Sequence, residues 1–156
     1  KPPAPPGLEG DFAMIPLYNV DASAGHGSIV EREEVIDSLA FRKQWIYNEL
    51  QANPSDLYLI NVRGDSMEPT LRAGDVILVN QRDTSVRNDG LYVLVMDGSL
   101  LVKRLQNLPG DNIRITSDNH AYPPYEMNKG GLKPGEQDDQ GGAGVIGRVV
   151  WMGRRV

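Results

Sequence analysis

From residue 57 onward the chain is a succession of short apolar runs, each closed by a turn signal. LYLINV (57–62), DVILVN (75–80), LYVLVMD (91–97), SLLVKRL (99–105), NIRITS (112–117) and GVIGRVVWMG (144–153) are rich in Val, Ile, Leu and Tyr. Runs of this length and composition suit a pleated, half-buried surface. Turn residues separate them at Ala73-Gly74-Asp75, Asp97-Gly98 and Pro109-Gly110-Asp111. Asp97-Gly98 is the strongest of these signals, because a two-residue hairpin turn needs positive φ at both central positions. The pattern restricts the fold to a mostly β domain, a small coiled sheet or partly open β-barrel.

Upstream the pattern is less regular. MIPLYNV (14–20) reads as a strand, and Pro16, which cannot donate to a ladder, predicts an edge position. DASAGHGS follows, all small or turn-forming residues. One helix is predicted near 38–52, capped by Asp37 or Ser38. Phe41, Trp45, Ile46 and Leu50 give it one apolar face, and Pro54 lies just beyond its end. NKGGLKPGEQDDQGGA (128–143) has no apolar pattern and reads as a flexible loop. KPPAPPG at the start has four prolines in seven residues, either a semi-rigid spacer or a frayed terminus.

Composition narrows the function classes. A chain of 156 residues fits a single core. No apolar run approaches the ~20 residues of a membrane-spanning helix, and no apolar stretch follows Lys1 as in a secretory signal. The chain has no cysteine, which removes disulfides and thiolate zinc sites and fits a reducing, cytoplasmic compartment. The net charge is −5, whereas a module that grips nucleic acid by its phosphates is usually basic. Contact with DNA is therefore expected only through a module outside this chain.

The stretch N-V-R-G-D-S-M-E-P-T-L-R (61–72) places Ser66 at the exit of a strand. A serine hydroxyl needs a base before it becomes a nucleophile. His26 lies in a small-residue loop and His120 in D-N-H-A-Y-P-P-Y; neither stands beside an orienting acid in a recognisable pattern. Lys103 is the other option. Alternation puts Leu101, Lys103 and Leu105 on one face and Leu100, Val102 and Arg104 on the other. If the Lys103 face turns inward, desolvation lowers its pKa and makes a neutral amine available as a general base. On the strand alone, a lysine at a sheet edge reaching out to water is the simpler reading. Ala24-Gly25, within A-S-A-G-H-G-S, suits a narrow cleft, with a small side chain and a backbone that allows close approach. By itself it is equally an ordinary small-residue turn. Met67 is expected to fill a gap beside Ser66, Pro69 to fix the turn and Glu68 to be solvated.

Together these pieces resemble the LexA and phage-repressor family of self-cleaving serine peptidases, which includes the UmuD-type proteins. The resemblance runs from about Ile15 to Val156. Its most specific element is G-D-S-M-E-P-T followed by L-R-A-G-D-V-I-L-V. S-D-N-H-A-Y-P-P-Y, V-I-G-R-V-V-W and F-R-K-Q-W look more like the phage-repressor branch. The resemblance implies a nucleophile at Ser66, a general base at Lys103 and a scissile bond at Ala24-Gly25. Backbone N–H groups of Asp65 and Ser66 would hold the oxyanion. It also implies residues 1–10 as an interdomain linker, 11–30 as the cleavage-site segment and 31–156 as the peptidase and dimerisation domain. The helix-turn-helix domain expected upstream is absent from the sequence, and the 128–143 loop is longer than the family needs.

The implied partners are a second copy of the chain, as a homodimer or higher oligomer, an activated RecA filament, and operator DNA through the upstream domain. The implied setting is bacterial or prophage-encoded, with no membrane, cofactor or metal. A repressor oligomerisation domain that is never cut and a UmuD-like mutagenesis subunit are the alternatives. A signal peptidase shares the Ser-Lys chemistry but would need a membrane anchor.

Overall fold

A computed structural model describes residues 9–19, 34–135 and 142–156. The hairpin at Asp97-Gly98 organises its centre. Asp97 (φ 51°) and Gly98 (φ 76°) both take the left-handed conformation. They join β5 (Gly90–Met96) to β6 (Ser99–Leu108), with Met96 opposite Ser99. The next turn follows the same chemistry, with Gly110 at φ 77° and Asp111 at φ 57°, and it leads into β7 (Asn112–Thr116).

The other strands are β1 (Phe12–Tyr18), β2 (Val35–Arg42), β3 (Leu57–Asn61), β4 (Val76–Asn80), β8 (Tyr125–Asn128), β9 (Leu132–Pro134) and β10 (Ala143–Gly153). They form one sheet in the order β2-β1-β3-β4-β10-β5-β6-β7-β8, with β9 added alongside β10. The sheet is open, with β2 and β8 at its ends, and does not close into a barrel. The protein is mostly β, as the run-and-turn pattern predicts.

Both faces of the middle strands are covered, which explains why LYLI reads as a continuous apolar run. Leu57 and Leu59 pack with Ile15, Ile46 and Leu78. Tyr58 and Ile60 point the other way, toward Met67, Leu71 and Ile77. A third cluster, with Tyr92, Leu94, Leu105, Ile113 and Ile115, fills the β5–β6–β7 side.

Four expectations are corrected. The helix near 38–52 is shorter: β2 runs through Arg42, a single α-turn α1 covers Lys43–Trp45, and a π-helical turn covers Ile46–Leu50. Asp37 and Ser38 are strand residues paired with Leu17 and Pro16, not caps. The apolar spacing was genuine, but it bridges a strand-to-helix junction. Phe41 at the end of β2 stacks on Trp45 (5.8 Å) and meets Trp151 edge-on (5.1 Å).

Pro16 is not on an edge strand, because β2 lies outside β1. Its missing N–H is tolerated because β1 meets β3 only at Leu17 and Tyr18. In the 128–143 region, Lys129–Gly131 form a 3-10 turn, and β9 pairs in parallel with Ala143–Val145 of β10. Backbone pairing organises 132–134 and 143–145 without an apolar pattern, and residues 136–141 of the expected loop lie outside the described residues. The expected strand near 14–20 is displaced by two residues, and β8 follows a Pro-Pro pair that masked it as a strand.

Candidate active site

β3 carries the chain to the turn that holds Ser66. Past its end, Val62 N–H donates to Asp75 O (2.8 Å), and Gly74 N–H returns to Val62 O (3.0 Å). Gly64, at φ 71°, redirects the backbone. Glu68 N–H then donates to Asp65 O (3.1 Å) and Leu71 N–H to Met67 O (2.9 Å), closing a compact turn around Ser66. Met67 is buried and Glu68 is exposed, as expected, and Leu71 is a second buried anchor in the core. The Glu68–Pro69 peptide is cis. Ser66 itself is half-buried.

The far end of the turn is held by charge. The buried Asp75 carboxylate accepts from Arg154 Nε (2.8 Å) and Nη2 (2.7 Å) and from Arg72 N–H (2.8 Å). The Arg154 guanidinium holds the Asp75 carboxyl below its usual range despite burial. Thr70 donates its hydroxyl to Asp118, which also receives Arg104 Nε and Nη2 at 2.8 Å each.

Of the two faces of β6, the Lys103 face turns inward. Lys103 and Leu105 are buried and Arg104 is exposed. Lys103 is only 9% exposed, so it does not reach out to water. Its cross-strand partner in β5 is Tyr92. Burial pushes the Lys103 ammonium below the usual lysine range. Its Nζ donates to Ser117 Oγ (2.6 Å) and lies 5.7 Å from the Tyr122 ring centroid. Among the described residues the amine is hydrogen-bonded to Ser117, not to Ser66.

One short segment ties the two sides together. Asn119 N–H donates to Ser66 O (3.0 Å), and Asn119 Nδ2 donates to Asp65 O (3.0 Å). Tyr122 OH donates to Asp65 Oδ1 (2.6 Å). Residues 117–122 therefore touch both the lysine and the serine turn. The sequence carried a usable signal for Ser117. The alternation of NIRITS puts Ile113, Ile115 and Ser117 on one inward face, and the Arg104–Thr116 register then brings Ser117 near Lys103. Asn119 and Tyr122 sit in a loop, where no periodicity identifies them.

Two hollows flank this segment. One is lined by Asn61, Val62 and Ser66 on one side and Leu100, Leu101 and Val102 on the other. The second is lined by Ser117, His120, Tyr122 and Tyr125, with Arg104 and Arg114. The edge of β6 over Ser99–Lys103 carries no β7 partner, because the β6–β7 register begins at Arg104. Among the described residues, no hydrogen bond takes the N–H of Asp65 or Ser66. His120 is exposed, lies near enough to Asp118 to act on its charge, and makes no hydrogen bond with Ser66 among the described residues. Ala24, Gly25 and His26 lie outside the described residues. Among the described residues there is no cluster of metal-ligating side chains, and no helix is long and apolar enough to cross a membrane.

The "Peptidase S24-like" family model matches residues 16–150. The 26 kDa repressor protein of Escherichia phage HK022 is 34% identical over 123 residues, covering 77% of this chain and 52% of the phage protein. The HTH-type transcriptional regulator PrtR of Pseudomonas aeruginosa is 33% identical over 149 residues, covering 92% of this chain and 54% of the regulator. A LexA repressor of a Nocardioides species is 29% identical over 134 residues, covering 85% of this chain and 46% of the repressor. The chain thus spans about half the length of the curated relatives it matches. With a family match across most of its length, the chain belongs to the Peptidase S24-like family.

Proposed function

We propose that this chain is the C-terminal regulatory domain of a phage-type transcriptional repressor, and that it cuts itself between Ala24 and Gly25 with a Ser66–Lys103 dyad. The observation that carries the reading is the buried Lys103, the one basic residue turned inward on β6, linked through residues 117–119 to the Ser66 turn. Membership of the peptidase family supports the same chemistry.

The hydrogen bond to Ser117 fits a neutral base. A neutral amine that donates one hydrogen to Ser117 Oγ keeps its lone pair for another partner. Lys103 takes the Ser66 hydroxyl proton through that lone pair, and Oγ attacks the Ala24 carbonyl carbon. The uncommitted N–H groups of Asp65 and Ser66 hold the oxyanion. Lys103 then gives its proton to the Gly25 nitrogen, which leaves as a free amine. A water, deprotonated by Lys103, hydrolyses the Ser66–Ala24 ester and leaves a carboxylate on Ala24. The missing Ser66–Lys103 hydrogen bond does not oppose this, since such bonds often tighten only when substrate is present.

Register supports a cut within one chain. β1 runs parallel to β3 with Tyr18 opposite Ile60. Ala24 lies six residues beyond Tyr18, and Ser66 lies six beyond Ile60. The path from Ile60 to Ser66 bends at Gly64, so Ser66 lies within the roughly 20 Å that six extended residues beyond Tyr18 span at about 3.3 Å per residue. The hollow between Asn61–Val62 and Leu100–Val102 lies along the part of β6 that has no β7 partner, an edge to which an extended segment could add as a strand. Substrate and enzyme in one chain raise the effective concentration, so regulation lies in docking of the cleavage segment.

The names of the relatives support a repressor, which would bind its operator through an upstream domain and dimerise through this one in a bacterial cytoplasm. Stimulation by an activated RecA filament is carried by the family resemblance. An uncut oligomerisation domain and a UmuD-like subunit remain the competing readings. The test is alkaline incubation of the purified chain beside Ser66→Ala and Lys103→Ala variants, with and without activated RecA. Two fragments from the parent and none from either variant support the dyad. Equal cleavage in either variant rejects it, and an intact parent under all conditions favours the oligomerisation domain.

A further inference from the structure

Tyr122 makes two contacts that neither the nucleophile nor the base requires by itself. Its hydroxyl donates to Asp65, the residue before Ser66, at 2.6 Å. Its ring lies 5.7 Å from Lys103 Nζ, within range of a cation–π contact. Yet Tyr122 is 42% exposed, which is unusual for a residue held at both ends. The loop that carries it is fixed from within. Tyr122 N–H donates to Asn119 O (3.1 Å), Ala121 N–H donates to Asn119 Oδ1 (3.0 Å), and Asn119 N–H donates to Ser66 O (3.0 Å).

We propose that Tyr122 is a positioning residue for the Ser66–Lys103 pair, its ring capping the Lys103 amine and its hydroxyl holding, through Asp65, the turn that carries Ser66. The inference rests on the dyad reading for its functional consequence, though not for its geometry.

The ring, 5.7 Å from the amine and itself far more exposed than Lys103, is close enough to limit hydration of the amine. The other groups around Lys103 are few. Ser117 from the end of β7 takes its hydrogen bond. Tyr92 on β5 directs its hydroxyl to Asn88 O, away from the amine. Arg104 and Asp118 neutralise each other, and His120 adds a weak charge interaction with Asp118. Asp65 accepts from the Tyr122 hydroxyl and makes no charge contribution to the Lys103 shift, whose cause is burial. The protonation state of Lys103 therefore depends on how well it is covered, and Tyr122 is the exposed part of that cover. Burial holds Lys103 below the usual lysine range, and cover by the ring works in the same direction.

Two substitutions separate the roles. Tyr122→Phe keeps the ring and removes the tether to Asp65. Tyr122→Leu removes both. The direct readout is NMR titration of the Lys103 Cε resonances in a Ser66→Ala background, with Lys103→Met providing the assignment. This measurement needs no cleavage, so it tests the cap even if the dyad reading fails. Tyr122→Leu should move the Lys103 midpoint upward by at least half a pH unit (~0.5), while Tyr122→Phe leaves it in place. An unmoved or lowered midpoint in Tyr122→Leu overturns the cap. In chains with Ser66 intact, Tyr122→Phe should slow self-cleavage about 10-fold without shifting its pH profile, a barrier change of ~1.4 kcal/mol. A rate equal to that of the parent overturns the tether. If the parent chain does not cut itself, the dyad reading falls while the titration still decides whether Tyr122 caps Lys103.

Discussion

Replacing Lys103 and Ser117 together should make the protein more stable while abolishing its chemistry. Lys103 is 9% exposed and Ser117 is 6% exposed, and the 2.6 Å bond between them is the polar contact of an otherwise apolar stretch of β6. Lys103→Met with Ser117→Ala removes the buried charge and its partner and leaves no unsatisfied group behind. Exchanging buried ionic groups for apolar ones of similar volume gains about 1–4 kcal/mol, and the exposed edge of the site argues for about 1–2. For a domain of this size that is a rise in Tm of roughly 3–6 °C. Lys103→Met alone should be close to neutral, because the Ser117 hydroxyl loses its donor and an unsatisfied buried group costs about 1–3 kcal/mol.

The gain must also depend on pH in one direction. The folded-state pKa of Lys103 is lowered, so between that value and the unfolded value the unfolded chain binds more protons. The cost of Lys103 is fully present below its folded pKa. It shrinks as pH rises through the window and is gone above the ordinary lysine value of about 10.4. The stability gap between parent and double variant should therefore close with rising pH, by at most about 1.36 kcal/mol per pH unit. The assay is urea denaturation from neutral to alkaline pH, with every chain in a Ser66→Ala background to prevent cutting. A double variant less stable than its parent at neutral pH, or a gap that stays constant with pH, would refute the reasoning.

Three other substitutions probe the frame of the site. Gly147→Ala should cost about 1–3 kcal/mol in urea denaturation, because the added Cβ would lie 2.5 Å from the Asn80 carbonyl oxygen, a backbone atom at the end of β4 opposite Arg148. Tyr58→Phe should be neutral or stabilising by up to about 1 kcal/mol, since the buried Tyr58 hydroxyl has no partner among the described residues; a clear loss of stability would show that it has one. Asp118→Asn should flatten the acid limb of a pH–stability curve. The Arg104 hydrogen bonds depress the folded Asp118 pKa, so its stabilisation is present above the ordinary carboxylate range and is lost as pH falls through the depressed value.

The features set by local chemistry were legible in the sequence. Asp97-Gly98 marked the central hairpin because few residues tolerate two consecutive positive φ angles. The alternation of SLLVKRL showed that one basic residue of β6 would face inward but could not say which. That choice depends on pairing with β5 and β7, which buries Lys103 and leaves Arg104 paired with Asp118 at the surface. The short helix was misjudged for a related reason. Phe41 and Trp45 meet at helical spacing, yet the residues before Lys43 pair with β1, and that tertiary pairing overrides the local pattern. Tyr122 and Asn119 were beyond the reach of periodicity altogether. They act from a loop, and only the closed fold brings them against Asp65, Ser66 and Lys103.

The central claim is that Ser66 and Lys103 cut the peptide bond between Ala24 and Gly25 in the same chain. Intact-mass spectrometry of the purified protein, followed through alkaline incubation over a wide range of protein concentration, tests it most directly. The account predicts two fragments whose masses place the break after Ala24, formed at a rate independent of concentration, and none from Ser66→Ala or Lys103→Ala. A break at another bond, a rate that scales with concentration, or fragments from either variant would contradict it.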